Sequence, residues 1–102
     1  MNEFLNRQRL ILLDAIAQYK KGSLHLNSFL RRLEGITDIV ALQSWDEKVF
    51  PILSLMEEIN AAAIDEKRSL TCDEEHSIEN CMASIEAAAN RYLLYLNSEK
   101  ND

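Results

Sequence analysis

The chain has 102 residues, carries a formal net charge of −6 and is 47% hydrophobic. This length allows one domain, residues 1–102, and the hydrophobic fraction excludes an intrinsically disordered chain. Two glycines and one proline are too few turn residues for a sheet protein of this size, so we predict an all-α single domain folded as an antiparallel four-helix bundle.

The first predicted helix spans residues 2–21. Apolar residues recur in it at three- and four-residue intervals, which is the spacing of one helical face. This face comprises Phe4, Leu5, Ile11, Leu12, Ala15, Ile16 and Tyr19. Leu10, Leu13 and Ala17 widen the face, so we expect the helix to be buried on two sides. Gly22 is the expected C-terminal stop.

The second predicted helix spans residues 27–42, with Asn27 as its N-cap. Its core stripe comprises Leu26, Phe29, Leu30, Leu33, Ile36, Thr37 and Val40. Gly35 lies inside this stripe, where it costs about 1 kcal/mol relative to alanine. The glycine either continues the helix or marks a break near its middle.

The third predicted helix spans residues 45–66. Ser44 and Glu47 have the spacing of a capping box at its start. Pro51 lacks an amide hydrogen, and its ring crowds a preceding carbonyl, so we predict either a kink there or a break with a new helix beginning at the proline. The core pattern continues through Leu53, Met56, Asn60, Ala63 and Ile64.

The fourth predicted helix spans residues 72–97 and follows a second capping box, formed by Thr71 and Glu74. Asp73, Glu74 and Glu75 place negative charge at the positive end of this helix dipole. The core stripe comprises Ile78, Cys81, Met82, Ile85, Ala89, Tyr92, Leu93 and Leu96. Short connections between the four helices predict antiparallel neighbours.

Charge is divided unevenly along the chain. Residues 1–32 contain six basic and two acidic residues, a net charge of +4, whereas residues 33–102 contain five basic and fifteen acidic residues, a net charge of −10. The acidic part repels phosphate backbones, which argues against nucleic acid as a partner, and it attracts a basic partner. Without a signal peptide or an apolar run of about 20 residues, we expect a cytoplasmic protein with no membrane contact.

Motifs for catalysis or metal binding are missing from the sequence. His25 and His76 have no partner at standard metal-ligand spacing. Cys72 and His76 could share a helix face, but two ligands make a weak site, and a solvated histidine beside a buried thiol is the simpler interpretation. Cys72 and Cys81 match no common zinc or redox pattern. We therefore expect no catalytic residue, no metal, no cofactor and no enzymatic activity.

Trp45 is the only tryptophan in the chain. It either packs in the core or anchors an interface, because tryptophan is enriched at binding hot spots. The paired acidic residues of the second half present a similar choice between a solvated surface and a partner-binding surface.

The stretch from Trp45 to Ile64 reads WDEKVFPIL and then, after Ser54, LMEEINAAAI. It resembles a pattern in small helical bacterial proteins, some of them immunity proteins of contact-dependent growth inhibition systems, which bind and block a toxin domain delivered by neighbouring cells. The resemblance covers residues 26–96. The best-matching positions are Trp45, Phe50, Glu58 and Ala61, and the positions that depart from the pattern are Pro51 and Asn60.

The resemblance and the acidic second half lead to the hypothesis of an immunity protein. Its expected partner is a cognate toxin domain, a basic nuclease, bound through an acidic surface. That surface is expected to comprise Trp45, Asp46, Glu47, Glu57, Glu58, Asp65, Glu66, Asp73, Glu74 and Glu75. The alternative is a helical adaptor or regulatory subunit that forms a homodimer, or binds another protein, through the apolar face of the first helix.

Overall fold

A computed structural model describes residues 2–93 and confirms the all-α four-helix fold. The helices are α1 (Asn2–Lys20), α2 (Leu26–Val40), α3 (Gln43–Asp65) and α4 (Cys72–Tyr92). The predicted continuation of α4 through residues 94–97, including Leu96 of its core stripe, lies outside the described residues. No helix within residues 2–93 is both long and apolar enough to cross a membrane.

The four helices form a ring in which each helix packs against two others. The packed pairs are α1 with α2, α2 with α3, α3 with α4, and α4 with α1. Arg9, in the first half of α1, donates a hydrogen bond to Asn90 near the end of α4, at 3.1 Å. Asn60, near the end of α3, donates to Asn27 near the start of α2, at 3.0 Å. These contacts show antiparallel pairing for α1 with α4 and for α2 with α3.

One continuous hydrophobic core fills the ring. All seven members of the stripe predicted for α2 are buried, and Gly35 continues that helix without a break. The largest fully buried side chains are Trp45, Phe29, Leu12, Leu30, Leu33, Met56, Ile78, Met82, Ile85, Leu93 and Val49. Each of the four helices contributes to this core, because an amphipathic helix is stabilised by burying its apolar face against its neighbours.

The first helix buries one face, so the prediction of burial on two sides is wrong. Leu12, Ala15 and Ile16 are buried, whereas Leu10 is 52% exposed and Ile11 is 45% exposed. In a ring of four helices each helix meets two neighbours and keeps its outer side in solvent. The end of α1 follows the prediction, because Gly22 has a φ of +82°, a backbone conformation that glycine adopts without steric cost.

The predicted N-terminal caps of α2 and α3 are wrong. Residue His25, not Asn27, occupies the N-cap position of α2, and it makes no side-chain capping bond. Helix α3 begins at Gln43, so Ser44 and Glu47 lie inside the helix and form no capping box. The helix begins early because Ala41, with a φ of +51°, reverses the chain immediately after α2. Within the first turn of α3 the side-chain amide of Gln43 donates to the Glu47 carboxylate at 2.9 Å.

The capping box predicted for α4 is confirmed. The Thr71 hydroxyl accepts a hydrogen bond from the Glu74 backbone N–H at 3.1 Å. In return, the Thr71 backbone N–H donates to the Glu74 carboxylate at 3.0 Å. Two amide groups that the helix leaves without a partner are satisfied in this way, so α4 has a sharply defined start.

Helix α3 is continuous through Pro51, so the predicted break at the proline is wrong. A proline inside a helix removes one backbone hydrogen bond and costs about 3 kcal/mol relative to alanine. Packing holds the helix together here, because Val49 and Leu53 on either side of the proline are buried in the core. Pro51 itself is exposed on the outer side of α3.

Candidate protein-binding surface

Trp45, the residue predicted as a possible interface anchor, belongs to the core. Its side chain has no exposed surface, and its indole N–H donates to the Thr37 hydroxyl at 3.1 Å. Thr37 is itself buried near the end of α2. A side chain in this position cannot touch a partner, so Trp45 is removed from the expected binding surface, and the core alternative is the one that the structure shows.

Two of the ten expected surface residues, Glu66 and Glu74, bind Arg68 in the loop before α4. Arg68 contacts both oxygens of Glu74, at 2.7 and 3.0 Å, and its Nε donates to Glu66. The hydrogen bonds from Arg68, together with the Thr71 backbone N–H, lower the pKa of Glu74 to about 2. These contacts fix the α3–α4 connection, so the charge of Glu74 is largely neutralised within the fold.

Glu57 is also engaged within the bundle. Its carboxylate lies 2.7 Å from Arg31 of α2, and Arg31 reaches Glu34 at 3.5 Å. A hydrogen bond with Glu34 and partial burial raise the pKa of Glu57, against the opposing effect of Arg31. This cluster joins α2 to α3, and its single arginine offsets one of the two carboxylate charges.

The remaining acidic residues do not form one surface. Asp46 is half-buried at the start of α3, and its Oδ1 is buried without a hydrogen-bond partner. Nineteen residues separate it from Asp65, which places them about 28 Å apart along the helix axis. Glu75 lies in a separate cleft, lined also by Tyr19, Lys20 and Lys21 at the end of α1. The expected surface is therefore divided among three regions.

Five expected residues, Glu47, Glu58, Asp65, Asp73 and Glu75, remain exposed without an ion pair within residues 2–93, and Glu75 among them lies in the separate cleft. Glu47, Glu58 and Asp65 are separated by 11 and 7 residues, close to whole numbers of helical turns, so they lie in one line along the outer side of α3. Pro51 belongs to the same line because it precedes Glu58 by seven residues. Asp73 lies in the first turn of α4.

A groove between α3 and α4 was missed by the sequence analysis. It is lined by Pro51, Ile52 and Leu55 of α3 and by Ser77, Asn80, Cys81 and Ser84 of α4. Leu55 is 45% exposed, so a large apolar side chain borders the groove from α3. The α4 side has small or short side chains, which leave room for an occupant to approach the backbone. The apolar periodicity of α3 does not predict that Leu55 is exposed, because a leucine one turn from a core position can also be buried.

We define the α3–α4 face as this groove together with Glu58, Asp65 and Asp73. Asp73 is four residues before Ser77, so it lies on the groove side of α4. The three carboxylates lie toward the end of the bundle where the loop joins α3 to α4. Near the opposite end of these two helices Lys48 and Arg91 are exposed together with Glu47, a net charge of +1. The face therefore has an apolar centre and one acidic end.

The histidines and cysteines do not come together as a site. His25 and His76 are exposed, Cys81 is buried, and Cys72 is exposed, so the expected buried thiol beside His76 is wrong. Burial raises the pKa of the Cys81 thiol, which keeps it protonated and unreactive at neutral pH. Within residues 2–93 no three His, Cys, Asp or Glu side chains are grouped closely enough to hold a metal ion.

No family model, curated protein or solved structure matches this chain. The geometry and charge of the α3–α4 face are therefore the basis of the functional proposal.

Proposed function

We propose that this protein is an immunity-type inhibitor, which binds a basic toxin domain and neutralises it without catalysis. The observation that carries the proposal is the α3–α4 face, where an exposed apolar groove adjoins carboxylates that have no internal partner. Monomeric proteins keep most large apolar side chains buried, and exposed apolar surface rimmed by charge is typical of protein-binding sites.

The charge of the face favours a basic partner. Glu58, Asp65 and Asp73 are exposed, and the helices that carry them belong to the acidic part of the chain. Between residues 43 and 93 there are eleven acidic and four basic residues, a net charge of −7, whereas residues 2–40 have a net charge of +2. A nuclease domain needs a positive surface to hold a phosphate backbone, and carboxylates on an inhibitor can occupy that surface.

The apolar groove supplies the close contacts that charge alone does not provide. Attraction between opposite potentials mainly accelerates encounter, whereas the lifetime of a complex depends on well-packed contacts at the centre of the interface. Leu55 and Pro51 are the apolar side chains at the centre of this face. We assign to them the role that Trp45 cannot have, because the indole is in the core.

Co-expression tests this proposal. The product of the gene directly upstream is expressed alone and together with this protein, and cell growth is measured. The proposal requires that the upstream product stops growth by itself and that this protein restores growth. An upstream product that is harmless alone, or that stays lethal in the presence of this protein, contradicts the proposal.

A second candidate function is supported by exposed apolar residues on α1. Leu10 and Ile11 are 52% and 45% exposed, and they lie on the part of the bundle away from the α3–α4 face. A homodimer or an adaptor complex formed through α1 would cover them. Light scattering distinguishes this candidate: it requires a dimer that Leu10→Asp dissociates, whereas a monomer over the whole concentration range removes the homodimer.

A further inference from the structure

We infer that the groove between α3 and α4 receives one amphipathic helix of a basic protein partner, whose apolar side covers Leu55 and whose lysine or arginine side chains reach Glu58 and Asp65. This inference rests on the proposed function in one respect, since it specifies the partner segment that the α3–α4 face would bind. The groove and its charges can nevertheless be tested without any toxin.

The shape of the groove fits a helix. It runs between two neighbouring helices, and on α4 it extends from Ser77 to Ser84, a distance of about 10 Å along the helix axis or two helical turns. Helices dock into such grooves through apolar residues that repeat every three or four positions. The short side chains of Ser77, Asn80 and Ser84 allow the backbone of a third helix to approach closely.

The charges of the α3–α4 face specify which side chains the docked partner helix must carry. Glu58 and Asp65 are seven residues apart on α3, so basic residues seven apart on a helix aligned with α3 have the matching spacing of about 10 Å. Asp73 adds a third carboxylate from the α4 side. At the other end of the two helices Glu47, Lys48 and Arg91 are exposed, a net charge of +1, so the excess of negative charge on this face lies toward the α3–α4 loop. The basic end of the occupant is thereby directed toward the α3–α4 loop.

Pro51 is an independent feature of the same groove. It interrupts the backbone hydrogen bonds of α3 at an exposed position, where no core contact requires a proline. Its ring presents a rigid apolar surface to the groove. Rule-breaking residues that weaken a fold are concentrated at functional sites, so the position of Pro51 supports this groove as the docking site.

A designed peptide tests the inference with the intact protein. The peptide is a helix of about 20 residues that carries leucines along one side and two lysines seven residues apart, beside the leucine stripe. The comparison peptide has the same composition, but its two lysines lie on opposite sides of the helix. Binding is measured by fluorescence anisotropy to the wild type, to Leu55→Asp and to Ile64→Asp.

Ile64→Asp is the matched control. Ile64 is 58% exposed on the same helix as Leu55, and nine residues, or two and a half turns, place it on the opposite side of α3. Both variants introduce the same charge at an exposed position. We expect Leu55→Asp to weaken binding of the first peptide by at least about tenfold, Ile64→Asp to change it less than about twofold, and the comparison peptide to bind more weakly than the first.

Several outcomes overturn the inference. These are equal effects of the two substitutions, equal binding of the two peptides, or no binding of either. If Leu55→Asp fails to fold by circular dichroism, Ser84→Trp, which fills the groove from an exposed position on α4, replaces it. A wild-type dimer that Leu55→Asp dissociates would identify a second copy of this chain as the occupant, against the inference. If Leu55→Asp restores growth as well as the wild type does, the immunity function stands but does not depend on the groove.

Discussion

The hydrogen bond between Trp45 and Thr37 gives the sharpest prediction about the fold. Thr37→Val keeps the shape of the side chain but removes the acceptor of the indole N–H. An unsatisfied buried donor costs about 1–3 kcal/mol. The added methyl group recovers less than about 1 kcal/mol. We therefore expect a net loss of about 1–2 kcal/mol in the free energy of unfolding, or roughly 5–15 °C in Tm, measured by urea and thermal denaturation.

Thr37→Ser and Trp45→Phe are the controls for this prediction. Serine keeps the hydrogen-bond acceptor and lacks the buried methyl group. The loss of unfolding free energy in Thr37→Ser therefore measures the contribution of packing alone. In the Trp45→Phe background no indole N–H remains, and Thr37→Val should then be neutral or stabilising. A Thr37→Val protein as stable as the wild type, or one equally destabilised in both backgrounds, would refute the assigned role of the hydrogen bond.

Three further predictions concern the helices and their ends. Thr71→Ala removes the N-cap of α4 and should cost about 1 kcal/mol of unfolding free energy in urea titrations; an unchanged midpoint would contradict the capping box. Pro51→Ala restores an α3 hydrogen bond and should raise the unfolding free energy by up to about 3 kcal/mol, while weakening peptide binding at the groove; loss of stability would show that the proline is needed for α3. Arg68 lowers the pKa of Glu74 from 4.5 to about 2, so Glu74 stabilises the fold above pH 4.5 and loses this effect as the pH falls toward 2. The Tm difference between the wild type and Glu74→Gln should therefore shrink over this pH range. A constant difference would contradict the lowered pKa of Glu74.

The fold class and most of the core were predictable because they depend on periodicity, but Ile11 and Ile64, which the apolar pattern places in the core, are exposed. The stripe of α2 from Leu26 to Val40 was correct at every position, and the capping box of Thr71 and Glu74 was correct because its two bonds are local in sequence. The start of α3 was not predictable in the same way, because it depends on the turn at Ala41 rather than on Ser44. The sequence at Pro51 predicts a kink or a break, but α3 continues through the proline without a break, because buried Val49 and Leu53 hold the helix in the core on either side.

The candidate surface was harder to predict than the fold. Acidic residues can be counted in the sequence, but the sequence does not show that Arg68 binds Glu74 or that Arg31 binds Glu57. Each ion pair joins side chains on different structural elements, so only the folded structure shows which carboxylates are paired and which are not. The groove at Leu55 was missed for the same reason, because its two sides belong to separate helices.

Association kinetics are the most direct test of the proposal that the α3–α4 face binds a basic partner. The partner is a catalytically inactive form of the toxin domain from the co-expression experiment. One triple variant neutralises the face, with Glu58→Gln, Asp65→Asn and Asp73→Asn. The matched variant neutralises three exposed acidic residues of α1 and α2 and has the same net charge. Its substitutions are Glu3→Gln, Asp14→Asn and Asp38→Asn.

The two variants should differ in their association rate constants, measured by stopped flow at low and at physiological ionic strength. Screening shortens electrostatic attraction to roughly 8 Å at physiological ionic strength. At low salt we expect neutralisation of the face to slow association by about tenfold or more and the matched variant to slow it much less. The advantage of the wild type should shrink as salt is added, with dissociation changing less. Equal rates for both variants, or a wild-type rate that ignores salt, would contradict binding through this face.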